Sequence, residues 1–287
     1  MSNPRTLLPV RWSQRLANVE LVAGTIMCSA LGLAVLFKDV LQTHDPVRGD
    51  IDERFARLGA NGHWFGTDNL GRDLWSRMLE GLGWSVSAAL TATAIALSIG
   101  LITGLMAAER PGWTRTLVNH LVNIGLSLPG LVIAMIVVAI IGRGFWPLTI
   151  TLGILTWPVF ARVVYGESRK QLAMDYVLAS RLVGSPPWRI LLTHVLPALR
   201  PTLLVLIAFH FADMMIFESA LSFLGLGAPL GVPTWGNMLQ EARDFLLIAP
   251  WLLAMPAAGI ITVVIAANLL GDGIAARSRE QARAIEI

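Results

Sequence analysis

This 287-residue sequence is short of charge. Asp, Glu, Lys and Arg together make up 14%, where a water-exposed globule carries about 25%. With 55% hydrophobic residues and a mean hydropathy of +0.64, too little polar side chain remains to cover a soluble fold. That excludes a soluble globule and indicates an all-α polytopic membrane protein. Lysine is scarcer still, with only Lys38 and Lys170. Neither stands in a G-x-x-x-x-G-K-[ST] phosphate loop, so no ATP hydrolysis by that route is expected. H-E-x-x-H, G-x-S-x-G and paired aspartates in facing spans are missing too, which leaves no catalytic set and no metal or cofactor ligands to assign. The one cysteine, Cys28, excludes an intrachain disulfide and a multi-thiolate metal site. Net charge is only +3, with basic residues spread along the chain, which argues against a nucleic-acid partner.

What the chain does have is apolar runs. A span needs about 20 apolar residues to cross roughly 30 Å of hydrocarbon among membrane lipids. Six segments qualify: 19–37, 82–107, 117–141, 148–166, 195–217 and 245–270. Arg5, Arg11 and Arg15 precede the first run as they would in a secretory signal. The run is longer than such a signal needs and no small-x-small site follows, so an uncleaved span is expected. With the N-terminus inside, 14 of the 22 basic residues fall on the cytoplasmic side, and eight fall outside with 11 of the 19 acidic ones. The sign of that bias puts both termini in the cytoplasm. The expected organisation is a segment 1–18, a first span with an outer loop over 19–81, a core over 82–272 and a tail over 273–287.

Between the fourth and fifth spans lies DYVLASRLVGSPPWRILLTHVLPALRP, residues 175–201. A polar hinge there should protrude into water and touch something. Asp175 suits a helix cap, and Tyr176, Val177, Leu182 and Val183 supply an apolar face. Gly184 suits the left-handed position that ends the helix, and Ser185 with Pro186 restarts one. Within the spans, Gly100 and Gly104 allow close helix approach. Pro129, Pro158, Pro250 and Pro256 are expected to kink theirs. In the outer loop, HWFGTDNLGRDLWSRMLEG alternates turn residues with charges, which suits a tightly folded cap. Composition alone favours the plainer reading, a solvated loop.

Charges at membrane depth mark function more often than charges elsewhere. His210 and Asp213, three apart on one face of the fifth span, could contact a cationic or metal-bearing substrate, with Glu218 near the outer end. A mutually satisfied pair that fixes packing is the favoured reading. Met214 and Met215 invite a soft-metal reading, but one helix supplies too few ligands. Glu109 and Arg162 are placed near span ends, snorkelling to the interface, and Asp272 at a helix end.

Four blocks, GTDNLGRDLWSR at 66–77, the hinge at 175–197, ESALSFLGLG at 218–227 with PTWGNML at 233–239, and NLLGDG at 268–273, together resemble one family. It is the second permease subunit of dipeptide, oligopeptide and nickel ABC importers, and the likeness covers nearly the whole chain. The resemblance implies a six-span type I importer fold in a bacterial inner membrane and a homologous permease partner. It also implies two ATPase subunits that bind ATP and Mg, an extracytoplasmic binding protein, and peptides or nickel complexes as cargo. The hinge then corresponds to a cytoplasmic coupling loop, 167–194, with the family pattern E-A-A-x-x-x-G followed by H-x-L-P. Ala179, Ser180, Gly184, His194, Leu196 and Pro197 fall on that pattern, flanked by Asp175, Tyr176 and Arg181, while Leu178 stands where the glutamate belongs. In the outer loop the motif positions are Gly66, Thr67, Asp68, Gly71, Arg72 and Asp73. Secondary transport and membrane catalysis are the rival readings. Both would work without an ATPase partner.

Overall fold

The computed structural model describes residues 10–110, 112–229 and 231–285; the start of the expected 1–18 segment and the last two residues of the tail lie outside them. Eleven α-helices follow one another: α1 (Val10–Leu36), α2 (Lys38–Leu41), α3 (Leu74–Glu109), α4 (Trp113–Ser127), α5 (Gly130–Ile141), α6 (Phe145–Leu172), α7 (Asp175–Leu182), α8 (Pro187–Ile190), α9 (Leu196–Phe223), α10 (Trp235–Ala242) and α11 (Trp251–Ile285). Among the described residues no strand forms; only the isolated bridges Gly49–Arg72 and Thr67–Asp73 occur. Among the described residues five helical stretches are long and apolar enough to cross a membrane, and α4 with α5, taken together as one bent span, makes a sixth.

That bent pair departs from the expected third span. α4 and α5 meet at 89° instead of forming one kinked helix. Leu128 precedes a proline, whose ring disfavours helical backbone there, and it sits at φ −89°, ψ 142°. Pro129 therefore ends one helix and starts another. The second span begins at Leu74, eight residues before its expected start, because Asp73 caps α3 by accepting from the Ser76 amide at 2.8 Å. At 36 residues, α3 reaches about 54 Å, more than a membrane's thickness, so it links both ends of the bundle. The sixth span starts late, at Trp251, with Pro250 just outside it. It continues as helix into the expected tail as far as Ile285, so Asp272 is an exposed interior residue and not a helix end.

Small residues draw the helices together. A side chain at Gly100 would collide with the Phe160 Cβ, and one at Gly104 would come within 2.8 Å of Val164. These contacts press α3 onto α6 across a seam with Ala92 and Ala96, both buried. α1 packs on α11 in the same way, with Gly273 against Leu21 and Gly24 against Leu270. Two cores result. One, around Leu148, Leu152, Met214, Met215, Trp235 and Leu252, fills the end that carries the 38–73 segment. The second joins Ala108, Val164 and Leu172 to Val177, Ile190, Val195 and Leu199 at the opposite end, and so fastens the hinge to the bundle.

Candidate functional site

The 38–73 segment is a folded cap and not the solvated loop that composition favours. Gly66 and Gly71 take φ of +77° and +71°, backbone that disfavours a Cβ, and a side chain at Gly71 would meet the Asp50 backbone. Thr67 accepts from the Ala56 amide at 2.9 Å and donates to the Glu53 carbonyl. Asp68 binds the Leu70 and Arg72 amides through Oδ1, at 2.8 and 3.0 Å, and the Arg72 guanidinium through Oδ2 at 2.7 Å. Arg72 and Arg77 both reach the same Glu241 oxygen, at 2.7 and 2.8 Å, and Arg77 closes the ring 3.4 Å from Asp68. Two carboxylates and two guanidiniums thus alternate around a knot that ties the cap and α3 to α10. Arg77 is 2% exposed, so the knot offsets a desolvation cost that an isolated guanidinium could not bear. Sequence reading missed Glu241, because nothing local relates it to a partner 164 residues away.

Beside the knot, His63 lies between two carboxylates, Nδ1 at 2.8 Å from Asp73 and Nε2 at 3.0 Å from Glu53. Burial pulls its pKa down, but the hydrogen bonds and charges of Asp73 and Glu53 outweigh burial and raise it. Asp73 is pushed up by burial and lowered more strongly by the Ser76 hydroxyl, the Ser76 amide and His63.

The hinge is built in the opposite way. Met174 takes the cap position of α7 without a side-chain bond, and Asp175 is the exposed first helical residue rather than the cap. Val177 alone of the expected apolar face is buried, at 0% exposure; Leu182 and Val183 stand 90% and 87% exposed, with Tyr176 and Leu178 about half out. Gly184, at φ +88°, ends the helix in a Schellman motif: its amide donates to the Arg181 carbonyl at 3.0 Å and the Ser185 amide to the Ser180 carbonyl at 3.1 Å. The next helix starts at Pro187 with Pro186 as cap, one residue later than expected. α8 runs into α9 through a π turn at Leu191–Val195. Pro197 has no amide to give the Thr193 carbonyl and its ring would crowd that oxygen, which a widened turn relieves. His194, in that turn, meets Tyr176 edge-on, ring centroids 5.8 Å apart. Arg181 is already engaged: it donates to Glu109 at 2.9 Å, fixing α7 to the end of α3. Arg162 bonds Asn123 at 2.6 Å.

The third group separates. His210 and Asp213 make no hydrogen bond, against the expectation of a satisfied pair. His210 is buried with its ring on Phe160, centroids 4.7 Å apart, Nδ1 3.2 Å from the Thr93 hydroxyl and Nε2 unpartnered among the described residues. Asp213 is exposed. Met214 and Met215 are buried in the core and do not join an open site with His210. Glu218 is fully buried, accepting from the Ser222 hydroxyl at 2.8 Å and Ser219 at 3.4 Å, so it lies on no open surface.

The described residues thus form a bundle of helices long and apolar enough to span a membrane, with a tightly knotted cap at one end and an exposed hinge at the other. Residues 96–280 match the family described as "Binding-protein-dependent transport system inner membrane component". The chain is 33% identical to the glutathione transport system permease protein GsiD of Pectobacterium atrosepticum, over 90% of this chain and 85% of that one. It is 38% identical to the GsiD permease of Escherichia coli O6:K15:H31, over 74% and 70%. The chain belongs to this family of inner-membrane permeases of ABC importers, whose members carry cargo rather than catalyse a reaction.

Proposed function

We propose that this chain is one of two homologous permease subunits of an importer for small peptides. In this reading α7, with the residues that flank it, docks on an ATPase subunit in the cytoplasm. The observation that carries the docking is the exposure of Leu182 and Val183 on a helix anchored at its other face by Val177. Two adjacent aliphatic side chains standing almost wholly in water are unfavourable unless a partner covers them. The excess of Arg and Lys on the hinge side supports a cytoplasmic placement for α7 and for both termini. Glutathione is itself a tripeptide, so the relatives' names support a peptide cargo.

Coupling follows from rigidity. Val177, Ile190 and Val195 hold the hinge in one core with α3 and α6, and Arg181 pins it to Glu109. When ATP binding draws the ATPase subunits together, the docked α7 moves with its ATPase and carries the ends of those spans, opening the path outward to a delivering binding protein. Hydrolysis returns them. Because Leu178 stands where the family pattern has an acid, this dock relies on apolar packing, with Tyr176, Leu178, Leu182 and Val183 as its contact set. Asp213 is the candidate path residue that stays open to a solute.

The test is the doubly substituted Leu182→Asp, Val183→Asp chain expressed with its partners. It should assemble normally in the membrane, lose copurification with the ATPase subunits by roughly tenfold or more, and import no peptide. ATPase recovery equal to wild type would overturn the docking assignment.

A further inference from the structure

At the cap, the side chains of His44, His63 and Asp73 converge, with one ligand atom from each lying within 4.8 Å of the others. None of them takes part in the coupling described above, and the knot of Arg72, Arg77, Asp68 and Glu241 is complete without them. We propose that these three residues bind a divalent transition-metal ion of the zinc class, with the fourth coordination position open to solvent.

The donor set is two imidazoles and a carboxylate, which suits Zn2+ and its first-row neighbours. Ligand atoms of a tetrahedral Zn2+ site lie about 3.3 Å apart, given metal–ligand bonds of about 2.0 Å. Here His63 Nδ1 is 2.8 Å and His44 Nδ1 3.9 Å from the same atom, Asp73 Oδ1; to reach the bound spacing, His63 moves out, and His44 moves in and gives up its 3.1 Å contact with the Thr43 hydroxyl. The carboxylate is divided between two tasks. Asp73 Oδ2 takes the Ser76 amide and hydroxyl and the Thr43 hydroxyl, at 2.8, 2.7 and 3.2 Å. That leaves Oδ1 facing only the imidazoles.

Support behind the ligands fits as well. A metal-bound imidazole usually gives its other N–H to a carboxylate, which fixes the ring and raises its basicity. His63 Nε2 sits 3.0 Å from Glu53 Oε2 in that role. The Ser76 hydroxyl holds the Thr43 and His44 amides at 3.2 and 3.1 Å and so delivers the His44 ring to the site, 4.3 Å from that of His63. His44 is 42% exposed, which provides an entry for the ion. Binding would clamp the stretch after α2 to the first turn of α3. The rival is a metal-free hydrogen-bonded cluster.

The experiment uses the full chain assembled with its partners in lipid nanodiscs, purified on a tag without histidine and stripped with chelator. Zn2+ is titrated by calorimetry, and Co2+ by its visible absorption. One equivalent per copy of this chain should bind, with the intense bands of a four-coordinate Co2+ that Zn2+ displaces. His44→Ala, at an exposed position that leaves the fold intact, should remove that equivalent or weaken it roughly tenfold or more. Glu53→Gln should weaken it by roughly 10–100-fold. If wild type binds no such equivalent, or His44→Ala binds it equally well, the cluster is hydrogen-bonded only and the proposal fails.

Discussion

The cap and the hinge are two polar interruptions of this membrane bundle, and they satisfy their side chains in opposite ways. In the cap every motif residue has its partner within the chain: Asp68 and Glu241 with Arg72 and Arg77, Thr67 with the Glu53 and Ala56 backbone, and Asp73 with Ser76. In the hinge the backbone is settled, by the Schellman motif at Gly184 and the pin from Arg181 to Glu109, but the apolar side chains Leu182 and Val183 are left exposed. Both regions carry family blocks, at 66–77 and 175–197. What separates them is that the cap pairs its charged side chains with one another, with only Arg77 Nη1 of the knot left without a partner among the described residues, whereas the hinge holds its apolar side chains exposed.

The comparison breaks most visibly at Arg77. Arg77→Ala leaves Asp68 and Glu241 short of a cation in a largely buried site, a loss of about 3–5 kcal/mol for a broken buried pair. The exposure of Glu241, at 40%, moves the expectation to the lower end. Thermal unfolding of the assembled complex should show the drop, while ATP turnover per mole of folded complex stays at wild-type level. A stable Arg77→Ala complex that hydrolyses ATP without transport would assign coupling to the cap and remove the distinction.

Gly184→Val is the corresponding change in the hinge. Nothing lies within 4 Å of the added Cβ, so the cost is conformational: φ +88° in a β-branched residue, about 1–2 kcal/mol. That local strain should loosen the end of α7, so that transport falls several-fold while the ATPase subunits remain bound and active. Normal transport by this variant would show that α7 does not act as a rigid lever. The smallest effect is expected at Asp213→Asn. Stability should stay within about 0.5 kcal/mol, as for an exposed side chain, with the import rate reduced. An unchanged rate would remove Asp213 from the path.

Much of this architecture was legible in local sequence. Apolar runs located the spans, Gly184 located the end of α7, and Gly100 and Gly104 marked a face open to close helix approach, though not which helix meets it, because each signal depends on a helix's own periodicity or on one residue's backbone freedom. Local signals failed where two rules competed for the same residues. Pro129 read as a kink, yet it turns the chain by 89° because Leu128 ahead of it is driven extended. Asp175 read as a cap, yet Met174 occupies that position. His210 and Asp213 share a helical face by spacing, but the Phe160 ring and the Thr93 hydroxyl draw His210 into the bundle while Asp213 stays outside.

By itself the sequence determined the membrane class, the number of apolar segments and the position of the hinge, since hydropathy and glycine placement act over a few residues. Only the tertiary structure decided what the charged residues do. Glu241 reaches Arg77 across 164 residues, and His44, His63 and Asp73 meet around one carboxylate oxygen. Such pairings are set by how α3, α10 and the cap pack together. Ionic and coordinating contacts depend on distances of a few ångströms, and chain order does not specify those distances until the helices are in place.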